Sequence, residues 1–174
     1  MTGRRSRLLA LIFLSTLWFS IILGPVEVHA QASRIYVDPV KSSSPQGSLL
    51  TISIRLDLGA GDTINAFDVK LRYQEAVLNA SSIGFDGNVF FGLESQPLAA
   101  CVDSFAQVAG GCPDLEGAQG GVVHGSQVLL GGSVSGPFTG DLFKISFEVK
   151  GTGTSWFSFD VNNDGELDLS LIHI

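Results

Sequence analysis

The sequence has few basic residues and spreads them thinly, which excludes one broad class of function. Its 174 residues include 10 Lys and Arg against 17 Asp and Glu. The basic residues beyond position 30 are scattered singly: Arg34, Lys41, Arg55, Lys70, Arg72, Lys144 and Lys150. A surface that binds nucleic acid needs clustered cations to neutralise phosphates. The sequence therefore predicts no nucleic-acid partner.

Histidine is also scarce, and its scarcity argues against an enzyme. Only His124 lies outside the two terminal segments set aside below. Catalysis by a histidine-based triad needs a histidine beside a nucleophile and an orienting group. His124 stands between apolar neighbours in a predicted strand, which favours a structural histidine. Paired carboxylates of a glycoside hydrolase remain an alternative, but an acidic chain contains such pairs whatever its function.

No window of helical length carries an apolar stripe at helical spacing, whereas apolar residues recur at every second position in several segments. Three segments alternate clearly: residues 50–58 (LTISIRLDL), 67–73 (FDVKLRY) and 142–149 (LFKISFEV). Weaker candidates are residues 34–37, 77–83, 122–130 and 155–159. Glycine clusters between them suit turns. The pattern predicts an all-β fold, an antiparallel β-sandwich or jelly roll of roughly nine strands.

One long hydrophobic run stands at the amino terminus. Residues 8–23 carry no charge and follow Arg4, Arg5 and Arg7, and Gly24-Pro25 and small residues come next. This order is typical of a secretory signal peptide. We interpret residues 1–30 as a signal-peptide helix cleaved after Ala30 or Ala32, and expect a secreted, extracellular or cell-surface protein. An uncleaved membrane anchor is the alternative.

Without that segment the chain becomes more acidic and shorter. Seven basic and sixteen acidic residues remain, a net charge of −9. The last six residues, LSLIHI at positions 169–174, match a translation of the transposon end used as a sequencing adapter, and we interpret them as read-through. A natural apolar strand end is the alternative. Residues 31–168 are thus predicted to form a single domain, because their number falls within the usual range for one domain.

The two cysteines predict a disulfide. Cys101 and Cys112 enclose ten residues, and thiols in exported proteins usually pair. A metal site is the alternative, but the chain has no second Cys or His pair at ligand spacing.

An acidic segment near the carboxyl terminus suggests calcium as a candidate cofactor. Its oxygen-bearing residues are Asp160, Asn162, Asp164, Glu166 and Asp168, and Gly165 takes the turn position of a calcium loop. The final ligand position falls on Leu171, which cannot coordinate. A β-hairpin turning at Asp164-Gly165 is the competing interpretation. The opening of the segment also fits a truncated dockerin. No other cofactor is predicted.

A glycosylation sequon begins at Asn79, in Asn79-Ala80-Ser81. It has meaning only in a host with the enzymes that glycosylate such sites.

The order of these elements resembles a cohesin-type domain, a secreted jelly roll of the wider carbohydrate-binding-domain group. The segments that carry the likeness are residues 35–39 (IYVDP), 55–57 (RLD), 66–73 (AFDVKLRY), 77–78 (VL), 140–147 (GDLFKISF) and 151–155 (GTGTS). Two features depart from the family. Gln74-Glu75 replaces its usual Asp-Pro or Asn-Pro, and residues 93–121 form a long insertion.

The resemblance implies a non-catalytic scaffold or binding module. Its partner would be a protein module, usually a dockerin, or a polysaccharide in an extracellular assembly. Cohesins bind through one sheet face without a fixed motif, so no binding residue is carried over. A structural surface-layer or adhesin domain is one alternative, and a fragment of a secreted glycoside hydrolase is another.

Overall fold

The segments whose apolar residues alternate are the strands that build the core. The computed structural model describes residues 32–103, 105–108, 112 and 121–160. They form eleven strands: β1 (Arg34–Asp38), β2 (Leu49–Leu58), β3 (Thr63–Ile64), β4 (Ala66–Tyr73), β5 (Leu78–Gly84), β6 (Ser95–Val102), β7 (Phe105–Ala106), β8 (Val122–Leu129), β9 (Val134–Ser135), β10 (Phe138–Val149) and β11 (Phe157–Asp160). Three of these have two residues each. The predicted all-β class is confirmed.

The strands form two packed sheets and a short ladder. The four-stranded sheet has the order β1-β2-β10-β5, and the five-stranded sheet has the order β11-β4-β8-β6-β7. Strands β3 and β9 pair with each other. Every pairing is antiparallel. This arrangement gives two sheets whose inner faces share one core and whose outer faces point in opposite directions.

The core lies between the inner faces, as the alternation predicts. Ile54 of β2, Leu71 of β4 and Ile145 of β10 are completely buried. Phe67, Phe90 and Phe143 stack near one another, with ring centroids 5.6 and 6.1 Å from that of Phe67. Burying each such side chain contributes about 1.5–3 kcal/mol, so this layer holds the two sheets together.

Gly125 of β8 is required by the same packing. A Cβ atom at this position would lie 2.7 Å from the ring of Phe143. Glycine in a strand often marks such a close approach. The missing side chain therefore makes room for the phenylalanine of the facing sheet.

The supposed insertion at residues 93–121 is the main correction to the expected fold. Its first part is β6, which pairs with β8 along most of its length. The sequence of β6 hides the strand because Pro97 stands within it and a bulge separates Pro97 from Ala99. Proline and bulges both interrupt the two-residue period.

Two expectations fall outside the described residues: the signal-peptide helix at 1–30 and the read-through at 169–174. The described part contains no helix with the length and apolar character needed to cross a membrane.

Candidate functional site

The outer face of the four-stranded sheet carries charges that are already paired. Arg34 donates from Nε to Asp57 Oδ2 at 2.8 Å, and Thr139 donates to Asp57 Oδ1 at 2.8 Å. These hydrogen bonds, chiefly the one from Arg34, hold the pKa of Asp57 below its ordinary value. They favour the charged carboxylate.

A second set of charges continues this network across the sheet. Arg55 contacts Asp38 and Asp141, each at 3.2 Å, and Lys144 contacts Asp141 at 3.4 Å. Acidic and basic residues alternate across three neighbouring strands, so most of the charge on this face is balanced internally. A partner docking here would have to break or desolvate these pairs.

The five-stranded sheet presents a different outer face, with a buried histidine near its centre. His124 of β8 is 2% exposed, and its Nε2 donates to Asp68 Oδ1 of β4 at 2.6 Å. Burial of Asp68 would raise its pKa, but the hydrogen bond and charge of His124 outweigh it, so the pKa of Asp68 lies below its ordinary value. The imidazole is closed to solvent, and its hydrogen bond joins β8 to β4.

The disulfide lies directly beside this histidine. Cys101 of β6 is the pairing partner of His124 across the sheet, and it joins Cys112, whose Cα lies 5.8 Å away. Ala99 and Ser126, on the same two strands, are also buried. The four positions Ala99, Cys101, His124 and Ser126 therefore offer little exposed surface to a partner.

Asp103 closes the segment that follows β6. Its Oδ1 accepts hydrogen bonds from the backbone of Gly121 at 2.8 Å and of Val122 at 3.0 Å, and its Oδ2 accepts one from the hydroxyl of Tyr73 at 2.6 Å. The backbone N–H of Asp103 also donates to Val122 O. Burial and the nearby carboxylate raise the pKa of Tyr73, so the hydroxyl stays protonated and able to donate.

The other half of the outer face is open and apolar. Val128 of β8 lies between Ala66 of β4 and Gln96 of β6. Leu98, the extra residue of the bulge in β6, is 50% exposed, and Leu130, just after β8, is 52% exposed. Ala66 and Val128 are partly exposed, and apolar side chains exposed on one sheet face can form a protein-binding surface. We call Ala66, Leu98, Val128 and Leu130 the apolar patch.

Solved structures share this arrangement of sheets. One is a type II cohesin domain from the cellulosome of Acetivibrio cellulolyticus, with 16% identity, a TM-score of 0.56, and coverage of 78% of this chain and 79% of that one. The fold is cohesin-like. The second type II cohesin module of the adaptor scaffoldin ScaA of the same organism has 15% identity, a TM-score of 0.53, and coverage of 78% and 75%.

A third cohesin-like neighbour comes from a complex. It is a type II cohesin–X-dockerin complex of Acetivibrio cellulolyticus carrying an N-terminal interface mutant, with 11% identity, a TM-score of 0.53, and coverage of 78% of this chain and 84% of that one. No protein-family model and no curated protein sequence matches the chain. The likeness therefore lies in the fold, not in the residues.

The sequence-predicted site residues of this cohesin-like chain have different outcomes. The structure joins Cys101 to Cys112, the two residues that the sequence pairs. Asn79 lies on β5 and is partly exposed, and its glycosylation stays a prediction. Asp160 ends β11. The other candidate calcium ligands, Asn162, Asp164, Glu166 and Asp168, lie outside the described residues, so the calcium site stays a prediction.

Sequence reasoning missed Asp68 and Asp103. Asp68 meets His124 across 56 positions of chain, and Asp103 meets Tyr73 across 30. The pairing registers of β4 and of β6 with β8 bring such residues together. Among the described residues, no three His, Cys, Asp or Glu side chains form a group able to hold a metal ion.

Proposed function

We propose that the chain is an exported, non-catalytic binding module that docks a partner protein module of the dockerin type. The apolar patch is the observation that carries the proposal. Apolar side chains at the centre of an interface supply most of its binding energy when they leave water. The cohesin-like fold, with a neighbour from a cohesin–dockerin complex, agrees with a partner of this kind.

The charge pattern favours the five-stranded sheet as the docking face. Its apolar patch presents no internally paired charges that a partner would have to strip, whereas Asp57 and Asp141 on the opposite face are each already paired with an arginine. A partner docking on that face would take these ion pairs out of water, and the desolvation cost of an ion pair can exceed its attraction. Binding at the patch avoids this cost.

Extracellular location is the second part of the proposal. The signal-like segment at residues 1–30 favours export, and a disulfide is typical of proteins in oxidising compartments. Both features suit a module that assembles with others outside the cell.

The test is a binding screen of the full chain against purified dockerin modules by calorimetry. We expect at least one complex with a Kd below about 10 µM, within the range of specific protein pairs. Leu130→Asp and Leu98→Asp should weaken it at least about tenfold, because each buries a charge in the interface. Thr51→Asp, on the outer face of the opposite sheet, is the matched control and should leave the affinity unchanged.

Two results would contradict the proposal. If no dockerin module binds, the dockerin partner is wrong. If Thr51→Asp abolishes binding and the two leucine variants do not, the partner docks on the four-stranded sheet.

A further inference from the structure

A groove of about 980 Å³ opens between the two sheets, away from the apolar patch. Its floor consists of apolar side chains that close the core only partly: Val37 of β1, Leu50 of β2, and Phe157 and Phe159 of β11. The volume is near the upper end of the range for small-molecule pockets, about 300–1,000 Å³. The groove is thus large enough for an extended ligand.

A tryptophan lies at the mouth of the groove and is fixed in place. Trp156 is 51% exposed although it is a large aromatic residue. When the Gln74 amide is assigned so that both of its ends have partners, its oxygen accepts from Trp156 Nε1 at 2.5 Å and its nitrogen donates to Thr154 O at 2.7 Å. This hydrogen bond restrains the exposed indole before a ligand binds, which lowers the entropic cost of ordering it.

The rims of the groove are polar but almost free of charge. Hydroxyl-bearing residues occupy both rims, with Ser42, Ser43 and Ser44 on one side and Thr152, Thr154 and Ser155 on the other. Of the described residues that line the groove, Lys41 is the only charged one. In a chain with an excess of acidic residues, this lining suits a neutral, hydroxyl-rich ligand.

The two rims are tied to each other. Gln46 Nε2 donates to Lys150 O at 2.6 Å, and Gly47 N donates to Val149 O at 2.8 Å. These hydrogen bonds join the loop between β1 and β2 to the residues at the end of β10. The spacing of the rims is therefore set by the fold before any ligand arrives.

We propose that this groove binds a neutral oligosaccharide chain, with Trp156 as its stacking platform. The C–H bonds on one face of a pyranose ring carry slight positive charge and pack on the negative face of an indole. The equatorial hydroxyls point outward and find partners among the Ser and Thr side chains of the rims. A charged sugar would meet no matching charge beyond Lys41. The groove is separate from the apolar patch, so saccharide binding can be tested independently of dockerin binding.

Tryptophan fluorescence provides the test. The chain contains two tryptophans, Trp18 and Trp156, so Trp18→Phe in the full chain leaves Trp156 as the only tryptophan, which is excited selectively at wavelengths that tyrosine does not absorb. The probes are neutral hexasaccharides: cellohexaose, xylohexaose, mannohexaose and laminarihexaose. We expect at least one to shift the emission in a saturable way. Calorimetry on the same samples should give the same affinity.

Variants separate this site from the apolar patch. Trp156→Ala should weaken binding, measured by calorimetry, at least about tenfold, and Trp156→Phe less, because the smaller ring keeps part of the stacking surface. Leu130→Asp is the matched control and should leave saccharide binding unchanged. Circular dichroism of each variant checks that the fold is retained.

Three outcomes would overturn the proposal. One is the absence of binding by every hexasaccharide at millimolar concentration. Another is binding that Trp156→Ala leaves intact while the variant is folded. The third is binding that occurs only after residues 161–174 are deleted, since the chain itself would then be the occupant of the groove.

Discussion

The four-stranded sheet turns a row of paired charges to solvent, whereas the five-stranded sheet turns a buried histidine pair and an apolar patch outward. Asp57 and Asp141 of the first sheet find their partners on neighbouring strands. Leu98 and Leu130 of the second have half their surface in water. In this sandwich, the charged side chains on one outer face pair with one another, whereas the other outer face leaves apolar side chains available for contact. Both sheets nevertheless cover the same core.

A substitution in the core that both sheets share should have the largest effect on the free energy of unfolding. Phe143→Ala deletes a ring that is 1% exposed and fills the space over Gly125. Buried Phe→Ala substitutions cost about 3–5 kcal/mol, so we expect a loss of this size in the free energy of unfolding. Urea denaturation followed by circular dichroism measures it. A loss below about 1 kcal/mol would mean that the sheets do not depend on this contact.

The disulfide should have the next largest effect. It is attached to β6 of the five-stranded sheet and to no strand of the four-stranded sheet. Cys101→Ser together with Cys112→Ser should lower the free energy of unfolding by about 2–3 kcal/mol, since the unfolded chain gains freedom. The unmodified protein in reductant is the control and should show a similar loss. Thiol labelling of the denatured, non-reduced protein checks the bond itself, and two reactive thiols would disprove it.

The histidine pair provides a smaller test of the five-stranded face. Asp68→Ala leaves Nε2 of buried His124 without its acceptor, and an unsatisfied buried donor costs about 1–3 kcal/mol. Arg34→Ala, which breaks an ion pair whose arginine is 63% exposed, should cost less than about 1 kcal/mol. Thermal and urea unfolding of the two variants compare them. Equal losses would remove this difference between the faces.

Acid should act on both faces in the same direction. The pKa values of Asp57 and Asp68 lie below the ordinary value of 3.8. Their contribution is present above that value and is lost as the pH falls through the folded-state pKa. Stability should therefore fall below about pH 4, and Asp57→Asn and Asp68→Asn should each make the fall shallower. Unfolding at several pH values measures this, and an unchanged slope in both variants would contradict it.

The apolar patch should show the smallest effect on stability. Leu130→Ser replaces an exposed side chain, and such substitutions usually change the free energy of unfolding by less than about 0.5 kcal/mol. Thr51→Ala on the opposite face should change it as little. A large loss for Leu130→Ser would show that the leucine supports the fold and is not kept for a partner.

The sequence predicted the alternating strands clearly, predicted β8 only as a weaker candidate at residues 122–130, and missed β6. In β2, β4 and β10, every second residue reaches the core, so the period is visible without a structure. In β8 almost every residue is buried, which weakens the period, and Pro97 and the bulge disguise β6. Strand identity is local information, and it fails where burial on both faces or a bulge removes the alternation.

The candidate sites divide in a similar way. The disulfide could be predicted because the chain contains only two cysteines, which leave one possible pairing. The Asp68–His124 pair, the apolar patch and the groove beside Trp156 could not, because each joins residues from separate strands. Their positions depend on pairing registers between distant segments, which no pattern in one sequence specifies.

The hydrogen bonds of Asp103 have a consequence for engineering. Three of them hold Asp103 to Gly121 and Val122. The sandwich is therefore closed at that point whatever length of chain runs between the two ends, and lengthening a closed loop costs little entropy. Foreign peptides inserted between Cys112 and Gly121 should therefore leave the two sheets folded, which makes this segment a candidate position for peptide display.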